Sequence, residues 1–195
     1  MDIRGGPGFS RGYRDRLKLE NLRRYVLGGG TLVAVQGAAE VLADDEVLGK
    51  SVRFDGWAEH TNGPSLRSRW NMGLPADPDT MTWRPGLDRV GVPWLAAGYE
   101  REELAVPGAY PVLLGTEEEG ETETVASFVA DTDRLLLDGF MLDSDKEKLA
   151  GRPFVLVQPA GRGRVVYFAC DPTFRGYWYG LNLLFLNTLL LGPTL

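Results

Sequence analysis

Residues 28–43, GGGTLVAVQGAAEVLA, decide the class of the fold. Three glycines supply positions where positive φ costs nothing, so they stop whatever helix precedes them. Thr31–Val35 is a short unbroken apolar run, the form of a parallel strand buried on both faces. Gly37–Ala43 then carries helix-forming residues behind a tight turn. Upstream, Leu17, Leu19, Leu22, Tyr25 and Val26 recur at helical spacing between Arg and Glu, which predicts a helix over 15–27. Helix, glycine turn, buried strand, turn and helix form a unit of the α/β type.

Composition permits such a domain and excludes other classes. The 195 residues are 44% hydrophobic and 25% charged, close to the globular average. A formal charge of −6, with arginines scattered along the chain, argues against a nucleic-acid partner, which needs a basic stripe. The densest charge run, TEEEGETET at 116–124, reads as a solvated loop between strands. Its carboxylates lack the order of a calcium loop. No segment is long and apolar enough to predict a membrane span or a signal peptide. The single cysteine, Cys170, precludes an internal disulfide.

Further along, residues 50–99 read as an irregular excursion holding Trp57, Trp70, Trp83 and Trp94 among Gly, Pro, Arg and Asp. Long segments of this kind inside a domain are usually functional or interfacial. Order returns with AYPVLLG (109–115), TVASFVA (124–130) and RLLLDGFML (134–142), each a strand or short buried run, and with a helical or turn segment at SDKEKLAG. RPFVLVQPAGRGRVVYFACDP (152–172) predicts a hairpin turning at its glycines. A last helix over 177–191 ends at Gly192–Pro193. Leu181, Leu184, Phe185 and Leu189 form one stripe of it, but Leu183, Leu186, Leu190 and Leu191 make it apolar almost all round, so it must be covered on more than one side.

Taken in order, GGGTLVAVQGAAEVLA, VPWLAAGYEREELAVPGAYPVLL and the tail LAGRPFVLVQPAGRGRVVYFACDPTFRGYWYGLNLLFLNTLLLG resemble a known group. This group is the class I glutamine amidotransferase-like domain that follows the catalytic domain in bacterial zinc carboxypeptidase-like proteins of the carboxypeptidase A type. The resemblance covers roughly residues 5–45 and 92–192. It implies one amidotransferase-like domain over 1–195, a flavodoxin-like three-layer α/β sandwich that lacks its first strands, with the Trp-rich excursion at about 50–99. It also implies that the chain is the C-terminal part of an exported protein. Its partner would then be an upstream peptidase domain, or the missing N-terminal half, and zinc would belong to that missing catalytic domain.

The residues argue against chemistry in this chain. An amidotransferase elbow carries a nucleophilic cysteine on a strained turn. Here the turn reads Gln36–Gly37–Ala38–Ala39–Glu40, so Gly37 and Ala38 mark a degenerate elbow. Cys170 ends a different, apolar strand, where a thiol is buried and inert. A zinc site needs three ligands around an open position, and the one histidine, His60, lacks the His-x-x-Glu spacing. Trp57, Trp70 and Trp83, with Arg175 and Trp178 in DPTFRGYWYG, are candidate ligand or domain contacts. Asp171 and Thr173 are both candidates to cap the last helix. Three functions remain open: a non-catalytic accessory domain, a stand-alone module that stacks a small ligand or sugar on the tryptophans, or a degenerate enzyme. Paired carboxylates among Asp55, Glu59, Asp77, Asp79 and Asp88 would instead serve glycoside hydrolysis, but spacing in sequence does not pair them.

Overall fold

The computed structural model describes residues 16–43, 45–57, 61–70, 94, 95, 97–99, 103–107, 111–115, 122–173 and 179–192; side chains are described for these except at 16–18, 57, 61–70, 103, 104, 107 and 111. Helix α1 (Arg16–Leu27) leads through the glycine turn to β1 (Thr31–Val35) and α2 (Gly37–Ala43). Strands β2 (Val52–Trp57), β3 (Thr61–Trp70), β4 (Glu103–Pro107), β5 (Pro111–Gly115) and β6 (Glu123–Phe128) follow. The chain continues through α3 (Thr132–Leu135), β7 (Leu136–Met141), α4 (Asp143–Leu149), the hairpin β8 (Pro153–Ala160) and β9 (Gly163–Phe168), and α5 (Tyr179–Leu191).

Seven strands make one mixed sheet in the order β1-β9-β8-β6-β3-β4, with β7 also on β3, while β2 and β5 pair separately. The pairing of β1 with β9 is parallel; β9–β8, β8–β6, β6–β3, β3–β4 and β3–β7 are antiparallel. The sheet thus differs from the all-parallel arrangement of a doubly wound domain. The physical reason is local: β8 and β9 are joined by the tight turn at Gly161–Arg162, and a two-residue connection can only reverse the chain.

Facing side chains divide the sheet into two surfaces. Tyr167 stands opposite Leu156, and Gln158 lies two residues further along the same face. Over this face lie α1, α2, residues 45–51 and the β2–β5 pair: Tyr167 and Gln158 bond the Leu48 carbonyl, and Leu156 reaches Gly115. Phe168 and Val155 share the other face. There Phe168 meets Phe185 of α5 edge to face, with ring centroids 6.5 Å apart. The result is a three-layer α/β sandwich around a central sheet. Phe154–Val157 and Val165–Cys170 are buried without alternation because both faces are covered.

Residues 45–51 lie on the sheet as a loop, so their backbone needs partners. Asp45, 6% exposed, accepts from the Val47 and Leu48 N–H groups at 3.0 and 2.9 Å and from Arg23 of α1 at 2.8 Å. Gln158, 2% exposed, serves two more groups: its Nε2 donates to the Leu48 carbonyl at 2.9 Å, and its Oε1 accepts from Ser51 N–H at 3.1 Å. The Tyr167 hydroxyl also donates to the Leu48 carbonyl. Burial, then the Asp45 charge, pushes the Tyr167 hydroxyl well above the usual phenol value.

Three sequence expectations need correction. The excursion at 50–99 is ordered at its start, where β2 and β3 form, and β3 is an interior strand of the main sheet. It escapes pattern reading because TNGPSLRSRW has no apolar alternation. Pro64 also withdraws a donor, and the β3–β7 register shifts between Asn62 and Ser65. Residues 132–135 are a helical turn before β7, with Asp131 Oδ1 accepting from Asp133 N–H at 3.0 Å as a cap. Glu123, read as loop, is the first residue of β6.

Close packing fixes two tests. A Cβ on Gly163 would stand 2.2 Å from both the Gly30 and Val26 carbonyl oxygens, so Gly163→Ala must part α1 from β9. Its expected cost is about 3 kcal/mol or more by urea unfolding. For Asp45, burial pushes the carboxyl up, but hydrogen bonds from Arg23, Leu48 and Val47 outweigh this and hold it below its ordinary value. Its folded value being the lower, its contribution is complete at neutral pH and is lost as pH falls below about 4. Asp45→Asn is expected to lower stability by about 1.5–3 kcal/mol at pH 7 and to flatten the acid limb of the stability–pH curve. An unchanged acid limb would show that another carboxylate carries it.

Candidate functional site

The β1–α2 corner is the strained point of the described chain. Gln36, between the strand and the helix, has φ of 48° and is the sole non-glycine with positive φ among the described residues. Both of its backbone groups are used. Its N–H donates to the Phe168 carbonyl at 2.9 Å, extending the β1–β9 ladder, and its carbonyl accepts from Glu40 N–H at 3.1 Å as the first helical bond of α2. Strand and helix meet at one residue, which must therefore turn the chain alone, and a left-handed conformation does this at a cost of about 1–2 kcal/mol. Ala39 and Leu42 anchor α2 in the core behind the turn.

Gly37 and Ala38, expected as the degenerate elbow, are the first two residues of α2, one position past the turn itself. The residue that makes the turn is Gln36. The signal in the sequence is a single polar residue between an apolar strand and a glycine. Its side chain is an amide, which has neither the acidity nor the nucleophilicity of a thiol.

Cys170 lies two residues beyond β9, fully buried. Burial, and after it the Asp171 charge, raises its thiol well above the ordinary value, so the thiolate is suppressed at neutral pH. Asp171 is occupied locally: its Oδ1 accepts from Thr173 N–H and Oγ1–H, each at 2.8 Å. Arg175 and Trp178 lie outside the described residues, as do Trp83 and His60. Trp57 ends β2 and Trp70 ends β3, in different sheets, and their side chains are outside the description. Among the described residues no three His, Cys, Asp or Glu stand together as a metal group.

What covers α5 is partly visible. Residues 94, 95 and 97–99 lie along it, held by polar groups that the apolar pattern conceals. Asn187 Nδ2 donates to the Leu95 and Ala97 carbonyls at 2.9 Å each. Tyr99 donates to the Gly180 carbonyl and accepts from Leu184 N–H at 3.0 Å, and burial raises its hydroxyl pKa. Trp94 packs on the core with the Arg164 guanidinium 5.8 Å from its ring centre. Leu186, Leu189 and Leu190 remain 47%, 47% and 68% exposed on the outer side. Among the described residues no helix is long and apolar enough to cross a membrane.

No protein-family model and no curated protein sequence matches this chain. Solved structures do match. A cytoplasmic protein, STM1381 from Salmonella typhimurium LT2, aligns over 89% of this chain and 60% of its own at 17% identity, with a TM-score of 0.52. A β-galactosidase from Bacillus circulans sp. alkalophilus aligns over 89% of this chain and 20% of its own at 14% identity and a TM-score of 0.49. A second Salmonella typhimurium cytoplasmic protein, STM3548, gives 15% identity, 88% and 58% coverage and a TM-score of 0.48. This chain therefore spans less than two thirds of the length of each, and the likeness is one of fold alone.

The strain at Gln36 is measurable. Gln36→Gly frees the left-handed turn while loosening the unfolded chain, so its expected stability lies within about 1 kcal/mol of the parent. Gln36→Val places a β-branched residue in that conformation and is expected to cost about 1–2 kcal/mol more than the glycine variant. Equal stabilities for the two variants would mean that the turn is not held left-handed.

Proposed function

We propose that the chain is a non-catalytic, amidotransferase-like accessory module, of flavodoxin-like ancestry, belonging to a larger zinc carboxypeptidase-like protein. The observation that carries the non-catalytic part is the corner at Gln36. It has the strand-to-helix geometry of a nucleophile elbow, with a positive φ on the turning residue, but an amide where a nucleophile would stand. The single thiol of the chain is sealed in the core, where it cannot serve in its place. The parallel β1–β9 pair followed by α2 is the portion of the sheet that supports flavodoxin-like ancestry. The carboxypeptidase parentage rests on the sequence resemblance.

The work of such a module is to pack against and hold a neighbouring domain. The outer side of α5 suits it: Leu186, Leu189 and Leu190 are exposed on a helix that carries no charged residue. Aromatic side chains of the Trp-rich segment would extend the contact. A sugar-binding role requires an open tryptophan face, and the one Trp side chain among the described residues, Trp94, is half-buried beneath Arg164.

Two measurements test this reading. The purified chain with added Zn²⁺ is expected to release no C-terminal residue from peptides, and no ammonia from glutamine, above the protein-free rate. Turnover in either assay sinks the non-catalytic reading. Binding of a hydrophobic dye should fall when Leu186 and Leu190 are replaced by Glu, with helicity by circular dichroism retained. Undiminished dye binding would remove α5 as the docking face.

A further inference from the structure

Near its start, α5 is met by a hydroxyl from another part of the chain. In a regular α-helix the Leu184 N–H bonds the Gly180 carbonyl, four residues before it. The Tyr99 hydroxyl reaches both of these groups: it accepts from the Leu184 N–H at 3.0 Å and donates to the Gly180 carbonyl. A hydroxyl carries a donor and an acceptor together, so it can serve both partners of one helical bond at once. Side chains that enter the helical ladder in this way open it locally.

The segment that carries Tyr99 is held unequally at its two ends. At one end Asn187, 8% exposed, donates through Nδ2 to the Leu95 and Ala97 carbonyls at 2.9 Å each. Were that contact to part, a buried amide would lose two acceptors, which makes this end the firm one. Departure of the Tyr99 hydroxyl leaves no such orphan in the helix, because Gly180 and Leu184 are each other's regular partners. Gly98, exposed beside Tyr99, sits closely on Leu183: a Cβ there would lie 3.0 Å from Leu183 Cδ2. Leu183, Leu186 and Leu190 follow at i, i+3 and i+7 along one face of α5. Leu186 and Leu190 are exposed, while Leu183 is partly covered.

We infer that Gly98–Tyr99 is a latch on α5. In the latched state the Tyr99 hydroxyl stands in place of the Gly180–Leu184 hydrogen bond, and Gly98 covers Leu183. On release the helix closes that bond itself, the hydroxyl returns to water, and Leu183 joins the exposed stripe of Leu186 and Leu190. Hydrogen bonds are exchanged between the two states rather than lost, so the states differ chiefly in the burial of the Tyr99 ring and of Leu183. A domain that seats on all three leucines binds only the released state and draws the population toward it. The use of the latch to regulate docking rests on the reading of α5 as the docking face; the exchange of hydrogen bonds stands without it.

Nuclear magnetic resonance of the full, isotope-labelled chain tests the exchange through the scalar coupling carried across a hydrogen bond. The parent is expected to lack a coupling from the Leu184 nitrogen to the Gly180 carbonyl carbon. Tyr99→Phe, which keeps the ring and removes the hydroxyl, is expected to gain it, with the Leu184 amide still protected from hydrogen exchange. A coupling of ordinary helical size in the parent overturns the inference, and so does a Tyr99→Phe chain whose Leu184 amide exchanges freely. Release is read by a hydrophobic dye: Tyr99→Ala should bind more of it than the parent, and adding Leu183→Glu should abolish the gain. No gain, or a gain that survives Leu183→Glu, overturns the latch as a cover of the stripe. Failure of α5 as the docking face shows separately, in the dye test on Leu186 and Leu190, and leaves the coupling result unchanged.

Discussion

A loop laid flat on a β-sheet gives up water on one side and must find other partners for its backbone, and residues 45–51 find them in Asp45, Gln158 and Tyr167. The arrangement joins three parts of the chain that are far apart in sequence: α1 through Arg23, the loop itself, and the β8–β9 hairpin. Each buried polar side chain is satisfied by a group that would otherwise be orphaned, so the cost of removing one falls on its partner as well. Asp45 belongs to this set by geometry: it ties the Val47 and Leu48 amides of its own turn and takes a bidentate grip from Arg23. With the loop pinned over Gln158 and Tyr167, that face of the sheet, which also carries the fully buried Leu156 and Phe154, is covered. The three-layer form follows from that seal as much as from the helices.

The legible parts of this fold were those whose cause is local. The glycine stop after α1, the apolar run of β1, the hairpin of β8 and β9 and the glycine end of α5 each announce themselves within a few residues, and the chain forms them where expected. What was illegible depends on distant partners. β3 carries Gly63, Pro64 and two arginines, yet it is held as an interior strand because β4 lies on one side while β6 and β7 share the other. Its position is a property of those neighbours. The same holds for Asn187, which looked like an interruption of an apolar helix and is in fact its fastening to residues 95 and 97. A buried amide that reaches two carbonyls cannot be told from a surface amide by composition.

The parallel pairing of β1 with β9 at the sheet's end has its own logic. β9 comes from a tight hairpin and is antiparallel to β8, so the remaining direction of the sheet is set from there outward. β1 enters from α1 at the other end of the sequence, and Gly163 lets α1 and the glycine turn approach β9 closely enough for the pair to register over its full length. A parallel pair is slightly weaker per residue than an antiparallel one, which makes the packing of α1, α2 and α5 on its two faces the larger contribution.

Gln36 shows how conformation and chemistry separate at such a corner. A left-handed non-glycine residue at the end of a strand is commonly taken as a sign of catalysis, because strain collects at active sites. Here the strain has a cause without any reaction. The residue must hand its N–H to Phe168 and its carbonyl to Glu40 within one step of the chain, and a right-handed or extended conformation would meet only one of these demands. Two backbone hydrogen bonds, each worth about 1 kcal/mol, offset a conformational cost of similar size. The turn is therefore self-consistent with any side chain that tolerates it. A nucleophile at such a turn would exploit a geometry that the fold already requires, and the amide of Gln36 is compatible with the same geometry.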